Sequence, residues 1–140
     1  MNFIDRKSKA FNCFMDFKKD CNVKEYQQFV DIFSPMLFKE NNHLLEISVG
    51  KKTSDSQFMS WLSLAVHNFI VLPAVYNNEP QLIIRNNTTI RKENIALINL
   101  TAINNLSIKT EESSTFYRHN ICFNYNNKVD YQMDIVVDKE

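Results

Sequence analysis

Hydrophobic residues recur every three or four positions in the first part of the chain, which is the spacing of an amphipathic helix. The first stripe predicts a helix from about Asp5 to Cys21, and it consists of Ala10, Phe14, Phe17 and Cys21. The second stripe predicts a helix from about Lys24 to Phe33, and it consists of Tyr26, Phe29, Val30 and Phe33. Pro35 is expected to end this helix, because proline disfavours helical geometry at the residue before it.

A longer apolar stripe in the middle of the chain predicts a third helix. The stripe consists of Phe58, Trp61, Leu62, Ala65, Phe69 and Leu72. Ser54 is the expected N-cap of this helix, and Gln57 completes a capping box three residues later. Between the second and third helices, Met36 to Glu40 and His43 to Val49 predict two short strands around a turn at Asn41-Asn42.

From Gln81 onward the hydrophobic period drops to two, which is typical of strands with one buried face. The candidate strands cover residues 82–84, 95–100, 103–108, 116–125 and 129–137. Polar residues fill alternate positions between Thr88 and Lys109, as they do in a sheet with one face that is solvated or used for a polar protein interface. The pattern therefore predicts helices first and a meander of strands afterwards.

The last two candidate strands can be aligned by the loop between them. A two-residue loop at Asn126-Asn127 places Phe123 opposite Asp130, which mixes apolar and charged residues on one face. A three-residue loop at residues 126–128 instead pairs Tyr125 with Val129 and Phe123 with Tyr131. The same register pairs Ile121 with Met133 and His119 with Ile135. We therefore predict the three-residue loop, with His119 on the buried face and Cys122 on the opposite face.

Length and composition favour one domain over residues 1–140 with a core of its own. Hydrophobic residues make up 44% of the chain, and 11 of them are phenylalanine. The 16 basic residues balance 16 acidic ones, so no net charge attracts nucleic acid or an anionic membrane surface. We accordingly expect neither as a partner.

The cysteines and the apolar runs indicate a cytoplasmic protein. Cys13, Cys21 and Cys122 form no CxxC motif and cannot all pair within the chain, which suits a reducing compartment. The first residues lack the apolar stretch of a signal peptide. The most apolar run, from Leu64 to Tyr76, is shorter than a membrane span and contains Pro73, so it predicts a buried helix.

Three stretches of the sequence resemble the nuclear transport factor 2-like superfamily, which includes SnoaL-like cyclases and ketosteroid isomerases. FVDIFSPMLFKEN (29–41) resembles the second helix running into the first strand of that fold. SDSQFMSWL (54–62) resembles the capped start of its third helix, and ICFNYNNKVDYQMDIVV (121–137) resembles its terminal hairpin. The resemblance implies an α+β fold, in which N-terminal helices pack on a strongly curved, mainly antiparallel sheet that forms a cone. It also implies a homodimer through the open sheet face.

The resemblance also implies which positions of this chain correspond to the catalytic residues of the isomerases in that superfamily. Their base, an aspartate at the end of the first strand, corresponds here to Asn41, and their helix 1 tyrosine corresponds to Phe17. Their oxyanion-binding aspartate on a late strand corresponds to His119. Because asparagine cannot abstract a proton and phenylalanine cannot donate one, isomerisation of the steroid type is not expected.

Six residues are candidates for the lining of the expected pocket. They are Phe14, Phe17, Asn41, Trp61, Tyr117 and His119. His119 and Tyr117 lie two residues apart on one face of a strand, where they could bind or protonate a carbonyl or hydroxyl group; the alternative is a core-edge histidine bonded to a neighbouring carbonyl. Aromatic stripes such as those of Phe14, Phe17 and Trp61 are more often core than pocket. The three histidines and three cysteines show no metal-ligand spacing, and no phosphate-binding loop is present, so we expect no metal and no cofactor.

Two classes of function remain. The first is a non-catalytic binding protein that contacts a protein partner, as immunity proteins of the superfamily do, or holds a small apolar ligand. The second is a small-molecule lyase, isomerase or hydrolase, with His119 and Tyr117 as acid and base. An open pocket of about 300 Å³ or more with convergent polar groups favours the enzyme or the ligand binder, whereas a pocket filled by aromatic side chains favours the protein contact.

Overall fold

A computed structural model describes residues 3–39, 44–53, 60–65, 69–86 and 94–139. These residues form two helices followed by eight strands, with bounds α1 Phe3–Asp20, α2 Lys24–Phe38, β1 Leu44–Thr53, β2 Ser60–Ala65, β3 Phe69–Tyr76, β4 Glu79–Asn86, β5 Asn94–Asn99, β6 Ile103–Glu112, β7 Phe116–Tyr125 and β8 Val129–Asp138. They divide into two compact units, each made from two separate segments of chain. The first unit takes its residues from 1–42 and 70–101, and the second from 43–69 and 102–140.

Both N-terminal helices form where the apolar stripes predict them, but the second is longer than expected. α2 continues through Pro35 to Phe38, so the prediction that Pro35 ends the helix was wrong. The apolar stripe explains the extension, because Met36 and Leu37 follow Phe33 at helical spacing and are buried with it. Burial of these two side chains offsets the cost of a proline inside the helix, and the predicted strand from Met36 to Glu40 is helical as far as Phe38.

The predicted third helix is not present in the described residues. Residues 60–65 and 69–76 are the strands β2 and β3, so the prediction of a helix through Trp61, Leu62, Ala65, Phe69 and Leu72 was wrong. The expected cap at Ser54 and Gln57 and the stripe residue Phe58 lie outside the described residues. A continuous apolar run has no period that separates a buried strand from a buried helix, and here pairing with neighbouring strands decides the outcome.

The first unit combines the two helices with the antiparallel sheet β3-β4-β5. β3 and β4 are joined by the turn Asn77-Asn78, in which both residues have positive φ, 52° and 61°. That conformation is the type I′ turn, whose twist suits a two-residue hairpin, and asparagine tolerates it better than most residues. In β4 and β5, the buried residues pair across the strands, Leu82 with Ile98 and Ile84 with Ala96.

The second unit is a five-stranded antiparallel sheet in the order β2-β1-β8-β7-β6. The strand prediction for 116–125 and the three-residue loop at 126–128 are both confirmed. Tyr125 pairs with Val129, Phe123 with Tyr131, Ile121 with Met133 and His119 with Ile135. The strand predicted from His43 to Val49 is confirmed from Leu44 onward as β1, which pairs with β8 on one side and β2 on the other.

The two faces of this second sheet differ in polarity, because residues alternate along β7 and β8. One face carries fully buried apolar side chains from three adjacent strands, namely Ile47, Ile121, Met133 and Ile135. The other face carries Arg118, Asn120, Cys122, Asn124, Asp130, Gln132 and Asp134. We call this second surface the polar face. Over its described residues the chain is thus an α+β protein with two α-helices and mainly antiparallel sheets.

Candidate functional site

His119 and Tyr117, the predicted acid–base pair, are brought together on β7 of the second unit. Their rings are stacked, with centroids 6.1 Å apart and planes 12° from parallel. His119 Nδ1 lies 2.9 Å from the hydroxyl of Thr110 on the neighbouring strand β6. Lys139 lies over the Tyr117 ring at 5.1 Å from its centroid and forms an ion pair with Glu112 at 3.5 Å. The pair therefore sits in a local network that joins β6, β7 and the residue after β8.

The chemistry of His119 follows from its half-buried position. Burial lowers the pKa of the imidazole below its ordinary value, because the charged form loses hydration. The ring is therefore neutral at pH 7, and one of its nitrogens is already engaged by Thr110. These contacts match the structural alternative of a core-edge histidine, with a threonine hydroxyl as its partner where a carbonyl was anticipated.

The other candidate residues are distributed over both units. Phe14 is 1% exposed and packs edge-on against Phe38 at 5.6 Å, so it belongs to the core of the first unit. Phe17 is partly exposed and lines a groove in that unit. Trp61 is a residue of β2, paired with Gly50 of β1, and Asn41 lies outside the described residues.

A groove of about 570 Å³ runs along α1 in the first unit, and it is open to solvent. Its helical side consists of Lys9, Asn12, Cys13, Asp16, Phe17 and Asp20. Counted from Lys9, these residues lie at i, i+3, i+4, i+7, i+8 and i+11, which places them on one face of the helix. Its opposite side consists of Val75, Asn78 and Pro80 from the β3–β4 hairpin, together with Thr101. We call this site the α1 groove.

The α1 groove has an apolar centre and charged groups along its helix. Phe17, Val75 and Pro80 supply the apolar surface. Lys9 lies nearest the start of α1, while Asp16 and Asp20 lie one and two turns further on than Asn12. From Lys9 to Asp20 the helix rises by roughly 16 Å, because each residue adds about 1.5 Å. The groove is thus elongated, basic at one end and acidic at the other.

Three hydrogen bonds fix the walls of the α1 groove. The Cys13 thiol donates a hydrogen bond to the Asn78 carbonyl oxygen at 3.4 Å, which ties α1 to the hairpin turn. Thr101 donates to the Glu79 carboxylate at 2.8 Å, and the Asn99 side-chain amide donates to the same oxygen. These two donors lower the pKa of Glu79, because they stabilise its ionised form.

Cys13 is the groove residue with the most obvious nucleophilic chemistry, but its surroundings oppose it. Burial raises the pKa of the thiol above its ordinary value, and the negative charges of Asp16 and Glu79 raise it further. The thiolate is the reactive form of cysteine, so the thiol at this position is suppressed as a nucleophile at neutral pH. The groove can hold a molecule, but it does not activate an attacking group.

The polar face of the second unit forms two smaller hollows. One of about 260 Å³ is lined by Lys109, Glu111, Arg118, Asn120 and Asp134, and Arg118 and Asp134 form an ion pair at 3.6 Å. The other, of about 290 Å³, is lined in part by Asn105, Cys122 and Asn124. The Asn124 amide donates to Asp130 at 2.9 Å, whereas its buried Oδ1 accepts no hydrogen bond from any described residue.

Sequence reasoning found Phe17 but missed the rest of the α1 groove. Lys9, Asn12, Asp16 and Asp20 share one helix face at regular spacing, and this signal was available in the sequence. Such a polar stripe is also the ordinary solvent face of a helix. Only the position of the β3–β4 hairpin turns it into one wall of a groove, and the first strand of that hairpin was predicted as part of a helix.

Comparison of the chain with protein-family models, with curated proteins and with solved structures finds no match in any of the three. Across the described residues, no three side chains of His, Cys, Asp or Glu lie close enough to hold a metal ion. Neither described helix has the length and apolar character that a bilayer crossing requires.

Proposed function

We propose that the chain is a non-catalytic binding protein that holds a small, elongated ligand in the α1 groove. The observation that carries this proposal is the groove's volume of about 570 Å³ together with its mixed lining. Pockets for small ligands typically measure about 300–1,000 Å³ and combine apolar walls with a few polar groups that set the orientation. The α1 groove has this composition, with Phe17, Val75 and Pro80 facing a ligand's apolar body.

The charges of the groove select the class of ligand. A cationic group at one end of the ligand would lie near Asp16 and Asp20, while Lys9 disfavours a second positive charge at the other end. Asn12 and Thr101 offer hydrogen bonds between these ends. The ligand is therefore an extended molecule with an apolar body and one amine. Its body is held by apolar contacts with the groove, and its amine by the negative charges of Asp16 and Asp20.

The lining of the α1 groove supports binding and gives no support to catalysis. Among the described residues that line it there is no histidine, and the raised pKa of Cys13 keeps the thiol protonated. The other function class, an enzyme that uses His119 and Tyr117, stays a prediction. Its two residues lie in the second unit, where His119 is neutral and bonded to Thr110.

Three ligands of equal length test the proposal, namely octylamine, octanol and octanoate. We expect octylamine to shift the backbone amide resonances of Asn12, Phe17 and Asn78 in a two-dimensional NMR titration. It should bind more tightly than octanol, by up to about fivefold, because a single exposed charge pair contributes up to about 1 kcal/mol. Octanoate should bind most weakly.

The variant Asp16→Asn should reduce octylamine binding to the level of octanol. Glu25→Gln is the matched control, because it removes the same charge from α2 at a residue that does not line the groove. Equal binding of the three ligands would contradict the preference for an amine but would still be consistent with a binding site in the α1 groove. Failure of all three to shift groove resonances at millimolar concentration would overturn the proposed function.

The resemblance to the nuclear transport factor 2-like superfamily also stays a prediction. Two N-terminal helices and a late antiparallel meander support it, and the strands at 60–65 and 69–76 stand where it calls for a third helix. The cone, the immunity-type contact with a protein partner and the dimer through the sheet face are expectations of the same resemblance. The polar face is the surface that suits a protein contact, since it mixes charged and amide side chains.

A further inference from the structure

β6 is the last strand of the five-stranded sheet and pairs only with β7 among the described residues. Six of its ten residues are exposed: Asn105, Ser107, Lys109, Thr110, Glu111 and Glu112. A bulge at residues 105–106, where Asn105 has φ 54°, interrupts its pairing with β7 between Asn104 and Ser107. The segment from Ser107 to Glu112 then runs in unbroken register. This segment, which we call the β6 edge, offers backbone groups that another strand could bind.

The charges on the β6 edge alternate in sign on one face of the sheet. Lys109 and Glu111 are two residues apart, so they point to the same face, and both line the hollow with Arg118 and Asp134. Thr110 points to the other face, where its hydroxyl contacts His119. Proteins often protect a free edge with charged residues, and lysine is the usual choice. A lysine and a glutamate on either side of a central threonine, however, attract a reversed copy of themselves, so these two charges do not repel a second copy of the strand.

A second copy of the strand can be placed on the β6 edge only in registers that a two-fold axis allows. In an antiparallel pair of identical strands, one residue lies opposite itself and its neighbours pair crosswise. An axis at Lys109 or at Glu111 places two like charges directly opposite each other, which destabilises the pair. An axis at Thr110 places Lys109 opposite Glu111 on both sides of the axis, and it sets threonine against threonine, a favourable cross-strand pair.

We propose that the chain forms a homodimer in which two β6 edges pair antiparallel, with Thr110 opposite Thr110 and Lys109 opposite Glu111. The two five-stranded sheets would then form one continuous sheet of ten strands. The occupant is a second copy, because the order Lys109, Thr110, Glu111 is complementary to itself in this one register. The earlier expectation was a dimer through the open sheet face, whereas the charge order favours the edge.

Charge reversal tests the proposed pairing by sedimentation equilibrium. We expect the wild-type chain to dimerise at protein concentrations between about 1 µM and 1 mM, a range suited to a small interface. Lys109→Glu brings four carboxylates together and should raise the dimer dissociation constant by about tenfold or more. Glu111→Lys should do the same with four lysines. The double variant with both changes restores the complementary order and should return the constant to within about threefold of wild type.

Lys128→Glu is the matched control, since it makes the same charge change in the exposed β7–β8 turn. It should leave the dissociation constant unchanged. A wild-type chain that stays monomeric over the whole range would overturn the proposal. So would a dimer that tolerates Lys109→Glu as well as Lys128→Glu, or a double variant that fails to recover.

A cysteine at the two-fold axis tests the register independently of charge. Opposed residues of an antiparallel pair have Cα atoms about 4.5–5.5 Å apart, which is within the range of a disulfide. Thr110→Cys should therefore give a covalent dimer on mild oxidation, well above the background from the three native cysteines. Glu112→Cys, at the end of the same edge, should not exceed that background, because the Thr110-centred register sets the two copies of residue 112 far apart along the strands. Equal cross-linking at both positions, or none above background at position 110, would contradict the Thr110-centred register.

Discussion

His119 shows how the surroundings of a single residue change its expected role. The sequence places it on the buried face of a strand beside Tyr117, and the structure confirms the register and shows the two rings stacked. Its hydroxyl partner Thr110 comes from the adjacent strand, and no spacing in the sequence links the two. Because burial lowers the pKa of His119, its neutral form is the one that the folded sheet favours.

The lowered pKa of His119 makes stability depend on pH in a defined direction. Between the lowered folded value and the ordinary value near 6.5, the unfolded chain binds more protons than the folded chain. The free energy of unfolding should therefore fall as the pH drops below about 6.5, and it should level off below the folded pKa. Replacing His119 with Gln should remove this part of the pH dependence while leaving an amide to contact Thr110. Urea unfolding of the wild-type and His119→Gln proteins at pH 7.5, 6.5 and 5.5 measures the change in the free energy of unfolding. The same pH dependence in both proteins would show that His119 is not its source.

Asparagine occupies every position of positive φ in the described residues: Asn77, Asn78, Asn105, Asn126 and Asn127. The chain has a single glycine, Gly50, and it lies within β1. Asparagine is the side-chain-bearing residue best suited to this conformation, so an Asn-Asn pair between apolar runs is a usable turn signal. At the β7–β8 loop, such a pair lies where the register of the two flanking strands correctly predicted the turn. The same pair at Asn77-Asn78 was not used for a hairpin, because the preceding run had been assigned to a helix.

At the scale of elements, the β strands after Gln81 were predictable and the middle of the chain was not. Alternation along β7 and β8 gives each strand one apolar and one polar face. Only one register of the two strands places both apolar faces on the same side of the sheet. The run through β2 and β3 has no such alternation. β2 is a strand because it pairs with β1, and β3 is a strand because it pairs with β4. The hydrophobic pattern within the run does not reveal these pairings. The α1 groove was missed for the same reason, since one wall is the β3–β4 hairpin.

Pro35 provides a test of how α2 is stabilised. Proline removes the hydrogen bond to the carbonyl of Asp31 and crowds the preceding turn, at a cost of about 3 kcal/mol in a helix interior. Because Met36 and Leu37 keep the helix intact despite that cost, Pro35→Ala should stabilise the protein, by about 1–3 kcal/mol. Chemical unfolding of the two proteins measures the change. Ser34→Ala, at the neighbouring residue whose hydroxyl binds the Val30 carbonyl oxygen, should give no comparable gain. A loss of stability in Pro35→Ala would show that the proline conformation is required.

At the scale of the whole molecule, both units are assembled from separate segments of chain. The second unit joins residues before 70 to residues after 101, and the pairing of β1 with β8 links them. The hairpins β6–β7 and β7–β8 have short loops, so they can form locally, whereas β1–β8 pairing must close a long loop. Folding of the second unit should therefore begin at its hairpins and end with β1.

Two matched core substitutions test this order. Ile121 in β7 and Ile47 in β1 are both fully buried, so replacing either with Val should cost about 0.5–1.5 kcal/mol. Ile121→Val should mainly slow refolding, because its contacts form early, and Ile47→Val should mainly speed unfolding. Stopped-flow kinetics over a range of urea concentrations separates the two rates. The reversed result would mean that β1 is part of the folding nucleus.

The position of β8 in the second sheet has a consequence for the chain as it is made. β8 lies in the middle of the strand order, bonded to β1 on one side and β7 on the other, yet it follows every other described strand in sequence. On the ribosome, β1 and β2 leave the exit tunnel as a two-stranded pair that is only marginally stable alone. Until β8 emerges and pairs with β1, apolar side chains such as that of Ile47 remain exposed to solvent. The nascent chain is thus most exposed to aggregation, and most in need of a chaperone, in the interval between the emergence of β1 and β2 and that of β8.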